Sequence, residues 1–338
     1  MKKLCVLPML VTVLCMSLSL PVCARQITVS LAGDCSLGKL ATHTYGGSFN
    51  DYFDRNGPEY FFQNVRAIFE ADDMTLVNFE GVLTESNHLV PKTFNIKGHP
   101  GYISILPVSG IDAVTFGNNH RIDYGAQGIE DTLNAFSSIG LPYAFDEHVG
   151  FYTAKNGMKI GYVSVNVLDG EGPAGIYVQT GINKLKEMGS DIILVCPHWG
   201  IEREHYPTPE QTAFGRACID LGADLVVGCH PHVLQGFECY NGKYIIYSLG
   251  NFCFGANKNP KDKDSMIVQA TFAEDDKTGE RAFFMQVIPC MISSQSKCND
   301  YCPTPANGAA RSRIIANLNR FSQPFGTAVS DDGIVTTR

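Results

Sequence analysis

The chain has 338 residues, of which 44% are hydrophobic and 18% charged, and its formal net charge is −8. This is an ordinary globular balance, sufficient for one large core or two modest ones. The acidic balance offers no basic surface for nucleic acid, which is therefore excluded as a partner. An acidic face also repels other polyanions unless bound metal ions neutralise it locally.

The first 24 residues are typical of an export signal. Lys2 and Lys3 precede an apolar stretch from Leu4 to Leu20, and Pro21 is followed by small residues at the cleavage positions. Its removal takes two of the 26 basic residues and none of the 34 acidic residues, so the net charge becomes −10. The alternative is an uncleaved membrane anchor, because Leu4 to Val22 is nearly long enough to span a bilayer. Either way we expect an exported protein that is periplasmic, secreted or held at the cell surface.

Apolar runs with strand character alternate with helical patterns along the chain. The predicted strands are Ile27 to Ala32, Met74 to Val77, Ile111 to Phe116, Lys159 to Val165, Ile192 to Cys196, Leu225 to Val227 and Tyr244 to Leu249. Helices are predicted at Glu59 to Ala71, around Ile129 to Ile139, at Thr180 to Met188 and at Pro209 to Leu221. Residues 35–58 and the segment GEGPAG are predicted to be loops. The alternation favours a layered sheet-and-helix fold with many parallel strands.

The pattern changes after Asn251. Two runs, Ser265 to Phe272 and Ala282 to Ile292, predict a hairpin that closes a single domain over residues 25–292. Residues 293–338 are predicted to be a C-terminal extension that packs on the domain or is partly flexible, with one short helix at 314–321. Cys298 and Cys302 lie in its polar part, and we expect a disulfide between them in an exported protein. A metal clip is the less favoured alternative.

Polar residues that can bind a metal or transfer a proton follow five of the predicted strands. In open α/β sheets such residues meet outside the carboxyl ends of the strands. They are Asp34, Asn78, Glu80, Asn119, His120, His198, His230 and His232. The last two are one residue apart, so on an extended segment both imidazoles face one metal or two adjacent metals. An isolated pair of this kind is as often a pair of ordinary loop histidines, but the agreement of five strands favours a metal site.

Carboxylate, amide and imidazole ligands without a thiolate suit divalent Mn, Fe, Zn or Mg. One or two such ions can hold a phosphoryl group for in-line attack. A neighbouring imidazole that binds no metal can then protonate the leaving oxygen. The expected chemistry is therefore metal-dependent hydrolysis.

Six motifs in order carry a resemblance to a known family. They are AGDCSLG, LVNFEGVLT, VTFGNNHRIDYG, PHWGIE, GADLVVGCHPHV and YSLGNFCF. Over residues 27–255 the sequence resembles the CapA-type bacterial capsule (poly-γ-glutamate) synthesis proteins, which have the calcineurin-like metallophosphoesterase fold. The resemblance implies an α/β (α+β) protein, a layered α/β/β/α sandwich with mixed sheets. It also implies a phosphoester or cell-surface polymer as substrate and membrane proteins of capsule synthesis as partners.

The resemblance also implies roles for individual residues. Asn119, His198 and His230 would hold one metal, Asp34 and His232 would hold the other, and Glu80 would bridge them. His120 would be the catalytic acid. Four further residues match family motifs without matching assigned ligands, and we expect them to contact the ligands or the substrate: Asn78, Asp123, Glu202 and Asn251.

One position departs from the family pattern. Phosphoesterases of this fold usually have a histidine two residues after the first aspartate, and here that residue is Ser36. Cys35 is expected to point to the opposite face, so one metal would be a ligand short, and Ser36→His is expected to tighten that site. Two functions therefore remain open. One is a hydrolase, and the other is a non-catalytic, metal-stabilised accessory subunit that binds acidic polymer or capsule-synthesis partners.

Overall fold

The computed structural model describes residues 24–44 and 46–338, so the predicted leader lies outside the described residues, except for Ala24. The strands are β1 Ala24–Ser36, β2 Lys39–Leu40, β3 Met74–Phe79, β4 Val82–Leu83, β5 Ile96–Gly98, β6 Ala113–Thr115, β7 Tyr143–Ala144, β8 Gly150–Thr153, β9 Lys159–Asn166, β10 Ile192–His198, β11 Leu225–Val227, β12 Phe237–Tyr240, β13 Lys243–Ile246, β14 Asn251–Phe254, β15 Asp264–Asp275, β16 Arg281–Met291, β17 Thr304–Pro305, β18 Thr327–Val329 and β19 Val335–Thr337. The α-helices are α1 Phe49–Asn56, α2 Arg66–Phe69, α3 Ile105–Val108, α4 Gly125–Ser138, α5 Glu171–Glu187, α6 Pro209–Leu221 and α7 Gly308–Ser322. Short 3₁₀ helices lie at Pro58–Tyr60, Pro100–Ser104 and Gln323–Phe325.

Two mixed sheets form the centre of the protein. The first has the order β17-β16-β15-β1-β3-β6-β7, with β14 also paired to β1, and the second has the order β12-β13-β11-β10-β9-β8. Strands β1, β3, β6 and β7 run parallel, as do β9, β10, β11 and β13. The antiparallel strands β15 and β16 confirm the predicted hairpin.

Alternating apolar residues bury both faces of each sheet. On β10, Leu194 faces the core between the sheets, whereas Val195 faces the core shared with α5 and α6. On the first sheet, Leu31 faces the inter-sheet core and Val114 faces the core under α1 to α4. A period of two with apolar residues on both faces is the pattern of strands covered on each side. The fold is therefore the expected four-layer α/β/β/α sandwich.

Aspartates at the starts of the parallel strands fix their relative register. Each precedes one strand and accepts the backbone N–H of a neighbouring strand: Asp73 from Thr28, Asp112 from Thr75, Asp191 from Lys159 and Asp224 from Ile193, at 2.7–2.9 Å. These bonds satisfy amide groups at the sheet margin that would otherwise lack partners. Because the starts of the strands are aligned, their carboxyl ends also meet at one edge.

The segment predicted to be a long loop contains α1. Ser48 and Asp51 form a reciprocal capping box at its start, and Phe49 is fully buried. The predicted helix at Glu59 to Ala71 is largely wrong, because only Arg66–Phe69 and the 3₁₀ turn Pro58–Tyr60 are helical. Aromatic side chains in this region, including Phe61 and Phe62, are buried through turns that have no helical period.

Helix α5 starts nine residues before the predicted position, at Glu171. The prediction of a loop at GEGPAG was wrong. Pro173 lies in the first turn, where its missing N–H costs nothing, and Ala174 and Val178 pack in the core against the second sheet. Tertiary packing here outweighs the poor helix propensity of glycine.

The C-terminal segment contributes to the core between the sheets. Ile314, Leu318 and Phe321 of α7 are buried there. The predicted disulfide is contradicted, because Cys298 and Cys302 are both free. Cys302 is buried, with its Sγ 3.3 Å from the Asn64 amide nitrogen and 3.4 Å from the Tyr60 carbonyl oxygen, so the loop folds inward. No helix among the residues described has the length and apolarity needed to cross a membrane.

Candidate metal centre

The polar residues predicted from the strand ends meet at one edge of the two sheets. Asp34 pairs in register with Asn78 on β3 and with Asn251 on β14. The second sheet brings His198, at the end of β10, to the same edge. Cys229, which precedes His230, forms a parallel β-bridge with His198. The cluster therefore draws on both sheets.

A close approach of two backbones orients Asp34. The register of β1 shifts between Ala32 and Asp34, and the Asp34 N–H donates to the Gly250 carbonyl at 2.9 Å. A Cβ on Gly33 would lie 1.9 Å from that oxygen, so only glycine fits at residue 33. Asp34 is fully buried, and its Oδ1 accepts a 2.8 Å hydrogen bond from the Asn78 side chain.

The first group of candidate ligands is formed by His198, Asn119 and His230. His198 Nε2 lies 3.0 Å from Asn119 Oδ1 and 3.1 Å from His230 Nδ1. Neighbouring ligand atoms about 2.1 Å from one cation are separated by about 3.0–3.4 Å. The three atoms therefore have the spacing of adjacent ligands around a single ion.

The second group is formed by Asp34, Glu80 and His232, whose ligand atoms all lie within 4.8 Å of one another. His232 Nδ1 is 3.1 Å from Asp34 Oδ2, and His232 Nε2 is 3.6 Å from Glu80 Oε1. Asn251 Oδ1 lies 3.0 Å from the same His232 Nδ1. The carboxylates and imidazole match the donor set of a divalent transition metal.

Glu80 provides the direct test of whether these residues fit a cation. It is fully buried, and neither of its carboxylate oxygens has a hydrogen-bond partner among the residues described. An unsatisfied buried carboxyl costs several kcal/mol of stability unless a charge compensates it. A cation held between the two groups would supply that charge, so the donor set fits a metal.

Burial raises the pKa of Glu80 well above its usual range, an effect that His232 opposes and Asp34 reinforces. Burial also opposes ionisation of Asp34, but the hydrogen bond and charge of His232 together lower the pKa of Asp34. For His232, burial is outweighed by the charges of Glu80 and Asp34, and its pKa rises to about 10. When no cation is bound, an imidazolium at His232 thus balances the negative charge of the buried Asp34 carboxylate.

The other two imidazoles are held neutral. Burial lowers the pKa of His230 to about 3, and it lowers the pKa of His198 well below its usual range. Neutral imidazole nitrogens are the ones that bind cations. His230 and His232 also have φ of 101° and 58°, an uncommon left-handed conformation that is found at functional sites.

The predicted acid, His120, lies beside this cluster. Its Nδ1 is 2.7 Å from Asp123 Oδ2, and its Nε2 is 3.6 Å from Glu80 Oε1. Burial lowers the pKa of His120, although its bond to Asp123 acts in the opposite direction. The Asp123 carboxylate accepts the hydrogen bond of Nδ1–H, and Nε2 faces the cluster.

The remaining predicted contact residues differ in their positions. Asn78 is buried and bonds Asp34, and its Oδ1 accepts from Thr115 at 3.0 Å, so it holds a ligand in place. Asn251 donates to the His232 carbonyl and flanks its ring. Glu202 is exposed at the rim, and no hydrogen bond joins it to the cluster within the described ranges.

Ser36 is not among the candidate ligands. Its side chain is fully buried, and its Oγ accepts the Ala256 N–H at 3.0 Å. The hydroxyl therefore links β1 to the chain that follows β14. Cys35 packs in the core under the helices, on the face opposite the cluster as expected.

Sequence reasoning missed Lys92 and Asn118. Lys92 Nζ donates to Asp123 Oδ1 at 2.7 Å, and Asn118 Oδ1 accepts the His120 N–H at 3.1 Å. Asn118 precedes two predicted site residues, and that position could have indicated its role. Lys92 lies 31 residues before its partner, in a stretch without periodicity, and gives no such signal.

The two mixed sheets and their common edge define a layered α/β protein with a buried carboxylate and imidazole cluster that could hold divalent cations. A family model described as bacterial capsule synthesis protein PGA_cap matches residues 28–256. The chain belongs to this family.

Two relatives named for capsule or PGA biosynthesis agree with this assignment. The PGA biosynthesis protein CapA of Bacillus subtilis (strain 168) is 30% identical over 325 residues, which cover 90% of this chain and 80% of that protein. The capsule biosynthesis protein CapA of Bacillus anthracis is 27% identical over 322 residues, which cover 88% of this chain and 74% of that protein. A solved structure, the 5'-nucleotidase of Candida albicans, aligns with a TM-score of 0.47 at 11% identity, covering 88% of this chain and 58% of the other.

Proposed function

We propose that this protein is an exported, metal-dependent hydrolase of the phosphoesterase type that acts in the metabolism of a cell-surface polymer. The membership of the capsule synthesis family supports the polymer, with poly-γ-glutamate as the first candidate because a relative is named for PGA biosynthesis. The predicted leader supports export. Membrane proteins of capsule synthesis are the partners that this role would require.

The observation that carries the proposal is the buried, unpartnered carboxylate of Glu80 between two groups of ligand atoms. Its two oxygens have no hydrogen-bond donor in the described part of the chain, while imidazole nitrogens approach from His120 and His232, each at 3.6 Å. A site that only stabilised the fold would satisfy these oxygens with protein donors. A position between two cations would give this carboxylate a function, because Glu80 would then be a ligand of both.

The proposed roles follow from the contacts. Asn119, His198 and His230 would hold one cation, Asp34 and His232 the other, and Glu80 both. When bound, such cations act as Lewis acids on a phosphoryl oxygen. His120 would donate the proton on Nε2 to the leaving oxygen, and Asp123 would hold the ring through Nδ1.

Hydrolysis tests this proposal directly. The full chain, stripped with a chelator and reloaded with Mn²⁺, Zn²⁺, Fe²⁺ or Mg²⁺, is assayed on phosphomonoester, phosphodiester and γ-glutamyl substrates. We expect turnover of a phosphoester only after reloading. The variant His120→Gln should keep its metal and lose about 100-fold or more in kcat. Turnover that survives both chelation and His120→Gln would contradict the proposal.

A second function is favoured by Ser36, which leaves the Asp34 and His232 group without an additional imidazole. A site short of one ligand suits a metal-stabilised accessory subunit that binds acidic polymer without cleaving it. In that case poly-γ-glutamate binds to the metal-loaded protein, and none of the three substrate classes is turned over.

A further inference from the structure

The loop between β4 and β5, residues 84–95, lies against the turn before α4 that carries the proposed acid. Its contacts converge on Asp123. The Asp123 carbonyl accepts from the Val90 N–H and from the Asn95 side chain, each at 3.0 Å. Asp123 Oδ2 accepts from the N–H of Ile96, the first residue after the loop, at 2.6 Å. The loop and its end therefore fix both the backbone and the side chain of Asp123.

Lys92 completes these contacts. Its Nζ donates to Asp123 Oδ1 at 2.7 Å and to the Asn119 carbonyl at 3.0 Å. Asp123 is fully buried, and the Lys92 side chain is only 25% exposed, so solvent screens this pair weakly. One lysine thus joins the partner of His120 to the backbone of a candidate ligand, Asn119.

These bonds assign the two carboxylate oxygens of Asp123 to different partners. Oδ1 is bound by Lys92, and Oδ2 is left to the Ile96 N–H and His120 Nδ1. With Oδ2 fixed as the acceptor, the ring donates its Nδ1–H in one orientation. Nε2, which carries the second proton of the imidazolium that acts as the acid, then points toward Glu80. Without Lys92, Oδ1 loses its charged donor, and the plane of the carboxylate is held only through Oδ2.

We propose that Lys92 is a positioning residue for the proton donor His120, acting through Asp123. The proposal rests on the hydrolase function above. It extends that function to a residue that does not touch the ligand atoms. The predicted effect is on leaving-group protonation, and metal binding is left intact.

A second lysine provides a matched control. Lys97 Nζ binds the same loop, through the Ser86 carbonyl at 2.5 Å and Asn87 Oδ1 at 3.0 Å, and it has no bond to Asp123. Removing its charge takes two bonds from the loop without freeing the Asp123 carboxylate. An effect confined to Lys92 therefore separates positioning from general loop stability.

The test measures kcat for a series of aryl phosphates whose leaving groups differ in pKa. In Lys92→Met, we expect a loss of about 10-fold or more with phenyl phosphate and almost none with 2,4-dinitrophenyl phosphate, because a good leaving group needs no proton. KM and metal content should not change. Lys97→Met should behave as the unmodified protein, and Lys92→Arg, which keeps a charged donor, should recover part of the loss.

Two results would overturn the proposal. One is an equal loss of kcat in Lys92→Met for every leaving group, and the other is the same increase in leaving-group dependence in Lys97→Met. Lys92→Gln keeps uncharged N–H donors, so the dependence of kcat on leaving-group pKa must increase less than in Lys92→Met. This variant keeps the test decisive if Lys92→Met fails to fold.

A nuclear magnetic resonance measurement separates failure of the positioning proposal from failure of the proposed function. In ¹⁵N-histidine-labelled protein, the His120 Nδ1–H resonance should be visible in the unmodified chain and in Lys97→Met and be lost in Lys92→Met. If no aryl phosphate is hydrolysed at all, the hydrolase function is wrong, and this resonance still decides whether Lys92 holds the ring. Its persistence in Lys92→Met would refute the positioning role.

Discussion

The substitution Glu80→Gln separates a ligand carboxylate from a structural one. Glutamine has nearly the shape of glutamate but cannot carry its negative charge. Since the Glu80 oxygens have no hydrogen-bond partners among the described residues, Glu80→Gln removes no protein hydrogen bond. We therefore expect the chelated variant to be as stable as the unmodified protein, within about 1 kcal/mol. The metal-loaded variant should be clearly less stable.

The expected size follows from linkage. A cation present at 1,000 times its dissociation constant stabilises the folded chain by about 4 kcal/mol. If loss of the charged ligand weakens binding about 100-fold, as changes around metal ligands can do, that increment falls to about 1.4 kcal/mol. For a chain of this length about 1 kcal/mol corresponds to roughly 1.5 °C in Tm. The metal-induced rise in Tm should therefore fall from about 6 °C to about 2 °C.

The pH dependence of the chelated proteins has a defined sign. Burial holds the pKa of Glu80 above its value in the unfolded chain, so the folded state binds more protons and loses stability as the pH rises. Glu80→Gln cannot ionise and escapes this loss. Its stability relative to the unmodified protein should therefore increase from pH 5 to pH 8.

Glu238→Gln is the matched control. Glu238 is also a buried carboxylate, but Arg216 donates to its Oε1 at 2.6 and 2.8 Å and the Tyr247 hydroxyl donates to its Oε2. Its loss should cost about 1.5–3 kcal/mol with or without metal and leave the metal increment unchanged. Thermal unfolding with Mn²⁺ and with chelator measures all three proteins. A chelated Glu80→Gln destabilised as strongly as Glu238→Gln, with a full metal increment, would refute this reasoning.

Three further predictions concern metal loss, pH and steric fit. The double variant of His230→Ala with His232→Ala should fold and lose its tightly bound metal, and unchanged metal by elemental analysis would contradict the site. Asp72 is part-buried with one oxygen unpaired among the described residues, and burial raises its pKa to about 7 from an ordinary value of 3.8. Its ionisation therefore lowers the stability of the fold as the pH rises between these values. Asp72→Asn should then stabilise the protein by about 1–2 kcal/mol at pH 8, after allowance for solvent screening, and by almost nothing at pH 4; equal effects in urea unfolding at both pH values would argue against this. Ser36→His should destabilise the chain by about 2–4 kcal/mol, because the ring overfills a buried site and leaves the Ala256 N–H unpaired; a tighter second metal in calorimetric titration, as the family pattern suggests, would show that the position can open.

The sequence predicted the parts of the fold that repeat. Strands such as β10 are runs of apolar residues because both faces of the sheet are buried. Glycines or polar residues follow these runs. The polar residues at the strand ends could be placed at one edge because parallel strands share a direction. His198 and Asp34, more than 160 positions apart, were grouped together on this argument.

The segments whose structure was predicted wrongly owe that structure to tertiary contacts. Helix α1 is eight residues long and is stabilised by a capping box and one fully buried phenylalanine, Phe49. At the start of α5, packing of Ala174 outweighs two glycines. Cys302 is surrounded by residues from a distant part of the chain, which local polarity does not reveal.

In the candidate site, too, some features can be predicted from the local sequence and others depend on tertiary contacts. Ligand residue types and strand ends are visible in the sequence, whereas the contacts that orient them are not. The bond from Lys92 to Asp123 depends on how an irregular loop folds back. The bond from Ser36 to the backbone explains why a residue in a ligand position has a structural role. Glu202 lies in a matching motif but remains exposed at the rim.

Anomalous diffraction from crystals of the full chain grown with Mn²⁺ tests the central claim most directly. We expect anomalous peaks inside the cluster, with one beside His198 and His230, one beside Asp34 and His232, and Glu80 contacting both. Peaks only at surface carboxylates, with the Glu80 side chain contacting no ion at saturating Mn²⁺, would contradict it.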